Sequence, residues 1–194
     1  WNSSDKFGFV RKSALINHSS ETVSIEFIDG LQNLLPYGVE DALQNASSNL
    51  VDAYKKCELE ASVGLGLFSL SAIIVDKAEP SEALRSNVAW SLGRPNATKL
   101  LSSKQLNAFR KGELPTQEVD IKAERGAYMI CDTVDLDAGA SEHWSILADV
   151  NKGPVEVADL MAALERPEAL LAEVSADVEE GSGHLVELVA ASDG

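Results

Sequence analysis

Basic residues are scarce in this chain: 16 Lys and Arg stand against 31 Asp and Glu, a formal net charge of −15. That balance excludes nucleic acid and anionic membrane surfaces as partners, because both repel an acidic surface. Long apolar runs are missing too. The longest, Leu70 to Val75, is interrupted by Ser71 and falls far short of the roughly 20 residues that span a bilayer as a helix. Cysteine is reduced to Cys57 and Cys131, far apart and in no CxxC or Cys/His spacing, which excludes a disulfide framework or a zinc motif. Two buried strand thiols are expected, and this usage favours a reducing, cytoplasmic compartment.

Catalytic signatures are equally sparse. The three histidines, His18, His143 and His184, are dispersed, with no HExxH and no GxSxG around a serine, so neither a metal centre nor a hydrolytic triad is indicated. Gly64-Leu65-Gly66 is too short for a phosphate-binding fingerprint, and a strand rather than a helix follows it. No catalytic, metal or phosphate residue is therefore assigned, and no cofactor is expected. The chain opens at Trp1 without a basic, apolar leader and closes directly after a helical pattern, so both ends read as cuts in a longer polypeptide.

What is abundant is alternation. Val23, Ile25 and Phe27 alternate with polar residues; so do Phe68 to Ile74, Val88 to Leu92, and Val119, Ile121 and Ala123. Further strands are expected near Ala127 to Leu136 and Glu142 to Val150, around a turn at Asp137-Ala138-Gly139. Many half-buried strands joined by polar turns point to a mainly β, antiparallel sandwich over residues 1–153. Ser102 to Arg110 has the composition of one short helix capped by Ser102 or Ser103.

From Pro154 the period becomes helical. One apolar face is expected from Val155, Ala158, Met161 and Ala162, and a second, after Pro167, from Leu170, Leu171, Val174 and Val178. Gly181-Ser182-Gly183 should end that helix, leaving a third, truncated one with Leu185, Leu188 and Val189. Residues 154–194 thus read as a truncated helical linker. It holds ten acids against Arg166, or −9, leaving −6 for the rest. These faces either fold back on the sandwich or belong with a further domain.

Residues 13–40 carry the functional question. A strand stops at Asn17-His18-Ser19-Ser20, restarts, and breaks at Gly30 into an amide-rich loop ending Leu35-Pro36-Tyr37-Gly38. An exposed aromatic ringed by amides suits a sugar ring, which makes Gln32, Asn33 and Tyr37 the carbohydrate-contact candidates, although the Leu34-Leu35-Pro36 run favours Tyr37 as an anchor of the loop. Asp29, Glu40 and Asp41 flank the segment, but spacing along the chain does not tell whether any two sit at the distance glycoside chemistry needs.

The stretch RKSALINHSSETVSIEFIDGLQN, with NVAWSLG and the later HWSILADVNKGPVEVADLMAAL, resembles the amino-terminal region of the cellobiose phosphorylase family, loosely from about Phe7 to Leu188. The matching features are Asn17-His18-Ser19 closing one strand, the strand Val23 to Asp29, a long excursion to Ala46, and the Trp90 segment. The sequence departs at Phe27-Ile28-Asp29-Gly30, where the family often has an aromatic-x-Glu.

The resemblance implies a galactose mutarotase-like supersandwich that leads into an (α/α)6 barrel. It also implies a homodimer and a carbohydrate site shaped by both parts, with the phosphorolytic chemistry in the barrel and so outside this chain. The expected role is a non-catalytic sandwich fragment of a carbohydrate-active enzyme. The alternative is a free-standing binding or assembly module that docks a basic partner through its acidic tail. An aldose-epimerase-like enzyme has the right broad fold but no recognisable His/Glu arrangement.

Overall fold

A computed structural model describes residues 1–73 and 83–192. Its strands form two antiparallel sheets. The large sheet has the order β1-β2-β10-β6-β5-β4-β8, from Asn2–Ser4, Gly8–Ile16, Ser141–Lys152, Ser86–Leu92, Leu65–Leu70, Lys55–Glu60 and Asp120–Lys122. The small sheet has the order β3-β9-β7, from Val23–Leu34, Gly126–Leu136 and Thr98–Leu100. The expectation of a mainly β fold followed by helices is met. Both edges of the large sheet, β1 and β8, are only three residues long, which limits the open backbone they offer to other chains.

Alternation along β6 explains the layering. Val88, Trp90 and Leu92 point to one face and join Val10, Leu65 and Leu147 in a cluster with Leu164, Leu170, Val174 and Val178 of the helices. Ala89 lies on the opposite face with Phe68, Ile146 and Trp144, packed on Tyr128 and Ile130 of the small sheet. The layers are therefore small sheet, large sheet, helices. Each of the buried Val, Leu, Ile and Phe side chains among these contributes about 1.5–3 kcal/mol on leaving water. Helices α4 (Pro154–Leu164) and α5 (Pro167–Ser192) thus fold back onto the sandwich. The packed face of α4 is Val157, Leu160, Met161 and Leu164, while Val155 is exposed, so the expected face is rotated.

Several boundaries differ from expectation. Strand β3 does not break at Gly30: it pairs with β9 through Gln32↔Ala127 and shifts register only before Leu34, at Asn33 with φ 58°. Gly30 serves close approach, since a Cβ there would lie 2.2 Å from the Tyr128 carbonyl oxygen. The strand expected at Val119 to Ala123 shrinks to β8, with Val119 exposed and Ala123 left-handed at φ 58°. Strand β5 starts at Leu65 and stops at Leu70, short of Ile73; Ile74 lies outside the described residues.

The helix expected from Ser102 is only α3, Leu106–Phe109, with Gln105 rather than a serine at its N-cap position; the Ser102 hydroxyl donates to Glu118 at 3.0 Å and accepts from the Lys104 N–H at 3.3 Å in the turn before it. Helix α5 runs through Gly181-Ser182-Gly183 as one piece of 26 residues. Neither glycine there has a positive φ, so the left-handed stop that would end a helix is absent. The excursion after β3 contains two short helices that periodicity does not announce, α1 (Asp41–Ala46) and α2 (Ser48–Tyr54).

Candidate functional site

The three sugar-contact candidates separate in space. The Gln32 amide donates to Ser103 Oγ at 2.9 Å, tying the end of β3 to the segment before α3. Tyr37, 42% exposed, lines an apolar hollow of about 360 Å³ with Leu43, Leu70, Ile73 and Leu84. Asn33 lines a different hollow, of about 200 Å³, where Leu35 forms an apolar wall and Asp41, Gln44, Asn45, Lys55 and Arg125 supply polar groups. Helix α1 stands between the two, turning Leu43 to one and Gln44 to the other.

The excursion is held in place by Val39 and Val51, which pack with Leu70 and half-buried Leu35 and Tyr54. That packing carries α1 over the end of β4, where Lys55 is buried. Its ammonium donates to Gln44 Oε1 at 2.6 Å and pairs with Asp52 at 2.8 Å, while Gln44 Nε2 donates to Asp52 at 3.2 Å. Burial opposes ionisation of Asp52, but the hydrogen bonds from Lys55 and Gln44, and the charges of Lys55 and Arg125, outweigh it and hold the carboxyl below its ordinary value. Lys55, Gln44 and Asp52 thus form a fixed, charge-balanced floor. Around it, Asn33, Asp41 and Asn45 are exposed and make no side-chain hydrogen bond among the described residues, so their amides and carboxylate remain available to a ligand. Sequence reasoning reached Asn33 and flagged Asp41 as flanking, but missed Gln44, Asn45, Lys55 and Arg125, which come from three separate segments.

The other chemistry-bearing groups are engaged structurally. Asp29 accepts from Trp144 Nε1 at 2.7 Å and Ser13 Oγ at 2.9 Å, and pairs with Arg11. The Trp144 ring stacks on Phe27 at 4.6 Å, so Asp29 serves to orient a core aromatic between the sheets. Glu40 is the exposed residue before α1 and makes no side-chain cap. Arg94 bridges Asp132 and Glu142 at 2.8 and 3.0 Å, leaving neither carboxylate unpaired. Glu118 is buried and accepts from the Leu101 and Ser102 amides, each at 2.7 Å.

Among the described residues one serine–histidine contact exists, Ser141 Oγ to His143 Nε2 at 3.0 Å, but both lie exposed on β10 and no acid orients the ring. Burial pushes the Cys57 thiol up to about 12 and raises Cys131 as well, which suppresses the reactive thiolate of both. Among the described residues no group of three or more His, Cys, Asp or Glu is placed to hold a metal ion, and no helix is long and apolar enough to cross a membrane.

No protein-family model matches the chain, and no curated protein matches it at a significant level.

Proposed function

We propose that this chain is a non-catalytic sandwich module of a glycoside phosphorylase- or hydrolase-like protein, and that the hollow lined by Asn33 meets carbohydrate. The observation that carries the reading is the convergence of Asn33, Asp41, Asn45 and Arg125 on one hollow of about 200 Å³ above the Lys55–Gln44–Asp52 floor. Amides, a carboxylate and a guanidinium together offer both donors and acceptors, which is what sugar hydroxyls require. The fixed floor lowers the entropy lost when a ligand orders the site. Two antiparallel sheets leading into helices agree with the family that the sequence resembles. On this reading the glycosidic chemistry belongs to a helical barrel beyond these residues, and the setting is cytoplasmic and homodimeric.

Incubation of the chain with cellobiose and inorganic phosphate tests the non-catalytic half of the proposal. Neither glucose nor glucose 1-phosphate should accumulate above a protein-free control. Turnover that follows protein concentration and survives repurification would overturn it.

A second reading, an assembly module docking a basic partner, draws support from the distal turns of α5. There Leu185, Val186, Leu188 and Val189 are exposed close to Glu179, Glu180 and Glu187. It predicts that a basic polypeptide such as polylysine co-sediments with the unaltered chain and does not with Leu185→Lys combined with Leu188→Lys, while sugar binding is unchanged. A chain that co-sediments alike with and without those changes counts against it.

A further inference from the structure

A lysine occupies an inward-facing position at one end of the sandwich. In the pairing of β7 with β9, Lys99 lies opposite Ile130, and directly opposed residues share a face. Ile130 packs in the core between the sheets, whereas the neighbouring pair, Leu100 and Met129, packs on the outer side. Lys99 therefore points between the sheets, and it is only 6% exposed.

Its ammonium has little to satisfy it. Among the described residues its one hydrogen bond is to the Pro95 carbonyl oxygen, and no carboxylate pairs with it. Asp132, the one acid that favours its charge, is engaged by Arg94 at 2.8 Å. A buried ammonium normally has a counter-charge and all three of its donors occupied. Burial accordingly holds Lys99 below the ordinary lysine value.

The ammonium borders a polar hollow of about 200 Å³ that the sugar site does not share. Its lining includes Ser62, Ser91, Asn96 and Gln117, with Gly64 and Gly93 in left-handed backbone conformations. Gly64 keeps the wall open: a Cβ there would lie 3.1 Å from Lys99 Cε. The turn carrying Gly64 is itself fixed by the Tyr128 hydroxyl, which donates to the Gly64 carbonyl oxygen at 2.6 Å. Pro167, the first residue of the 26-residue α5, also lines the hollow and brings the positive end of that helix dipole to it. Glu168 in the same turn is exposed.

We infer that this hollow is a binding site for a small oxyanion, with Lys99 supplying the counter-charge and the amide groups of Asn96 and Gln117 donating hydrogen bonds around it, while the Ser62 hydroxyl on its wall donates to Glu60 at 3.2 Å. The several donors suit a tetrahedral anion such as phosphate better than a carboxylate, which presents only two oxygens. The inference does not depend on the carbohydrate reading, because the two hollows share no residue.

The test is titration of the isotopically labelled chain with inorganic phosphate, and separately with acetate, at constant ionic strength set with chloride. Phosphate should give saturable shifts at the amides of Gly64, Gly93, Asn96 and Gln117, and acetate weaker ones. Lys99→Met should abolish them. Because that variant alters a buried position, Asn96→Asp supplies a second one at an exposed site; it should weaken phosphate at least tenfold in a folded chain. Absent or non-saturating shifts in the unaltered chain, or shifts undiminished in both variants, would overturn the inference. Acetate binding as tightly as phosphate would overturn the preference for a tetrahedral anion.

Discussion

Asp177 on α5 accepts a hydrogen bond from Ser4 on β1, joining positions 173 residues apart. The same carboxylate accepts from the Lys6 backbone N–H at 3.2 Å and faces the Lys6 ammonium at 3.8 Å. Asp177 is buried beside Val174 and Val178, which enter the core under the large sheet. One carboxylate thereby fastens the long helix to the edge strand, and its loss exposes a fault at two elements at once.

Replacing Asp177 by Ala should cost about 1–3 kcal/mol, the usual range when a buried charged hydrogen-bond partner is removed. Urea unfolding at neutral pH checks this. A change below a few tenths would mean that apolar packing alone seats α5.

Acid should loosen the same contact. The Ser4 hydrogen bond, against the opposing effect of burial, and the Lys6 contacts hold Asp177 below its ordinary value of 3.8; Asp52 is lowered as well. A lowered folded value means that the unfolded chain takes up the proton first. The stability from both groups is therefore complete above the ordinary carboxylate value and is lost as pH falls through the folded values. Urea midpoints should be flat from pH 7 to about 5 and fall steeply below about 4, and Asp177→Asn should make that fall shallower. An equal acid slope in the variant would contradict the assignment.

Asn17 should be a stability position rather than a glycan acceptor, although Asn17-His18-Ser19 has the acceptor pattern. It is 6% exposed, and its amide nitrogen lies 2.7 to 3.0 Å from the carbonyl oxygens of Glu21, Leu136 and Asp137. Its side-chain oxygen accepts from the Ser19 N–H at 2.9 Å. It therefore ties the turn after β2 to the turn after β9. Asn17→Ala should cost about 2–3 kcal/mol by leaving buried groups unpaired, measured by chemical denaturation. An effect under 0.5 kcal/mol, about the size of an ordinary surface change, would contradict this.

Much of this framework is legible in the residues, and the reasons are particular. Val23-Ile25-Phe27 and Val88-Trp90-Leu92 alternate because each strand has one apolar layer beneath it, and Leu170, Val174 and Val178 recur at helical spacing because one stripe of α5 is covered. Alternation fails where a residue is chosen for something other than burial. Val119 sits at a short edge, Gly30 is there for close approach to Tyr128, and Gly181 and Gly183 are absorbed into a helix held by packing elsewhere. The hollow beside β3 is only partly legible. Asn33 and Asp41 stand in the amide-rich stretch, but Gln44, Lys55 and Arg125 meet them only after α1 folds over β4. Nothing in Thr98-Lys99-Leu100 signals a buried lysine, since its face is set by the pairing with Ile130.

Both thiols should resist labelling in the folded chain. Cys57 and Cys131 are buried, and burial pushes Cys57 up to about 12. Reaction with a thiol reagent at pH 8 should therefore follow unfolding, with two equivalents released only in denaturant. Rapid labelling of Cys57 without denaturant would show that the strand pair β4–β5 opens readily.

The central claim is that the hollow beside β3 binds sugar, and residue-resolved titration of the labelled chain with glucose and cellobiose tests it most directly. Asn33→Gly with Asn45→Ala is the matched control, because Gly keeps the left-handed backbone at φ 58° that Ala would strain by about 1–2 kcal/mol. The account predicts saturable shifts at the amides of Asn33, Gln44, Asn45 and Arg125, lost in the double variant while the remaining spectrum is unchanged. Shifts absent from those four residues, or equal in the variant, would contradict it.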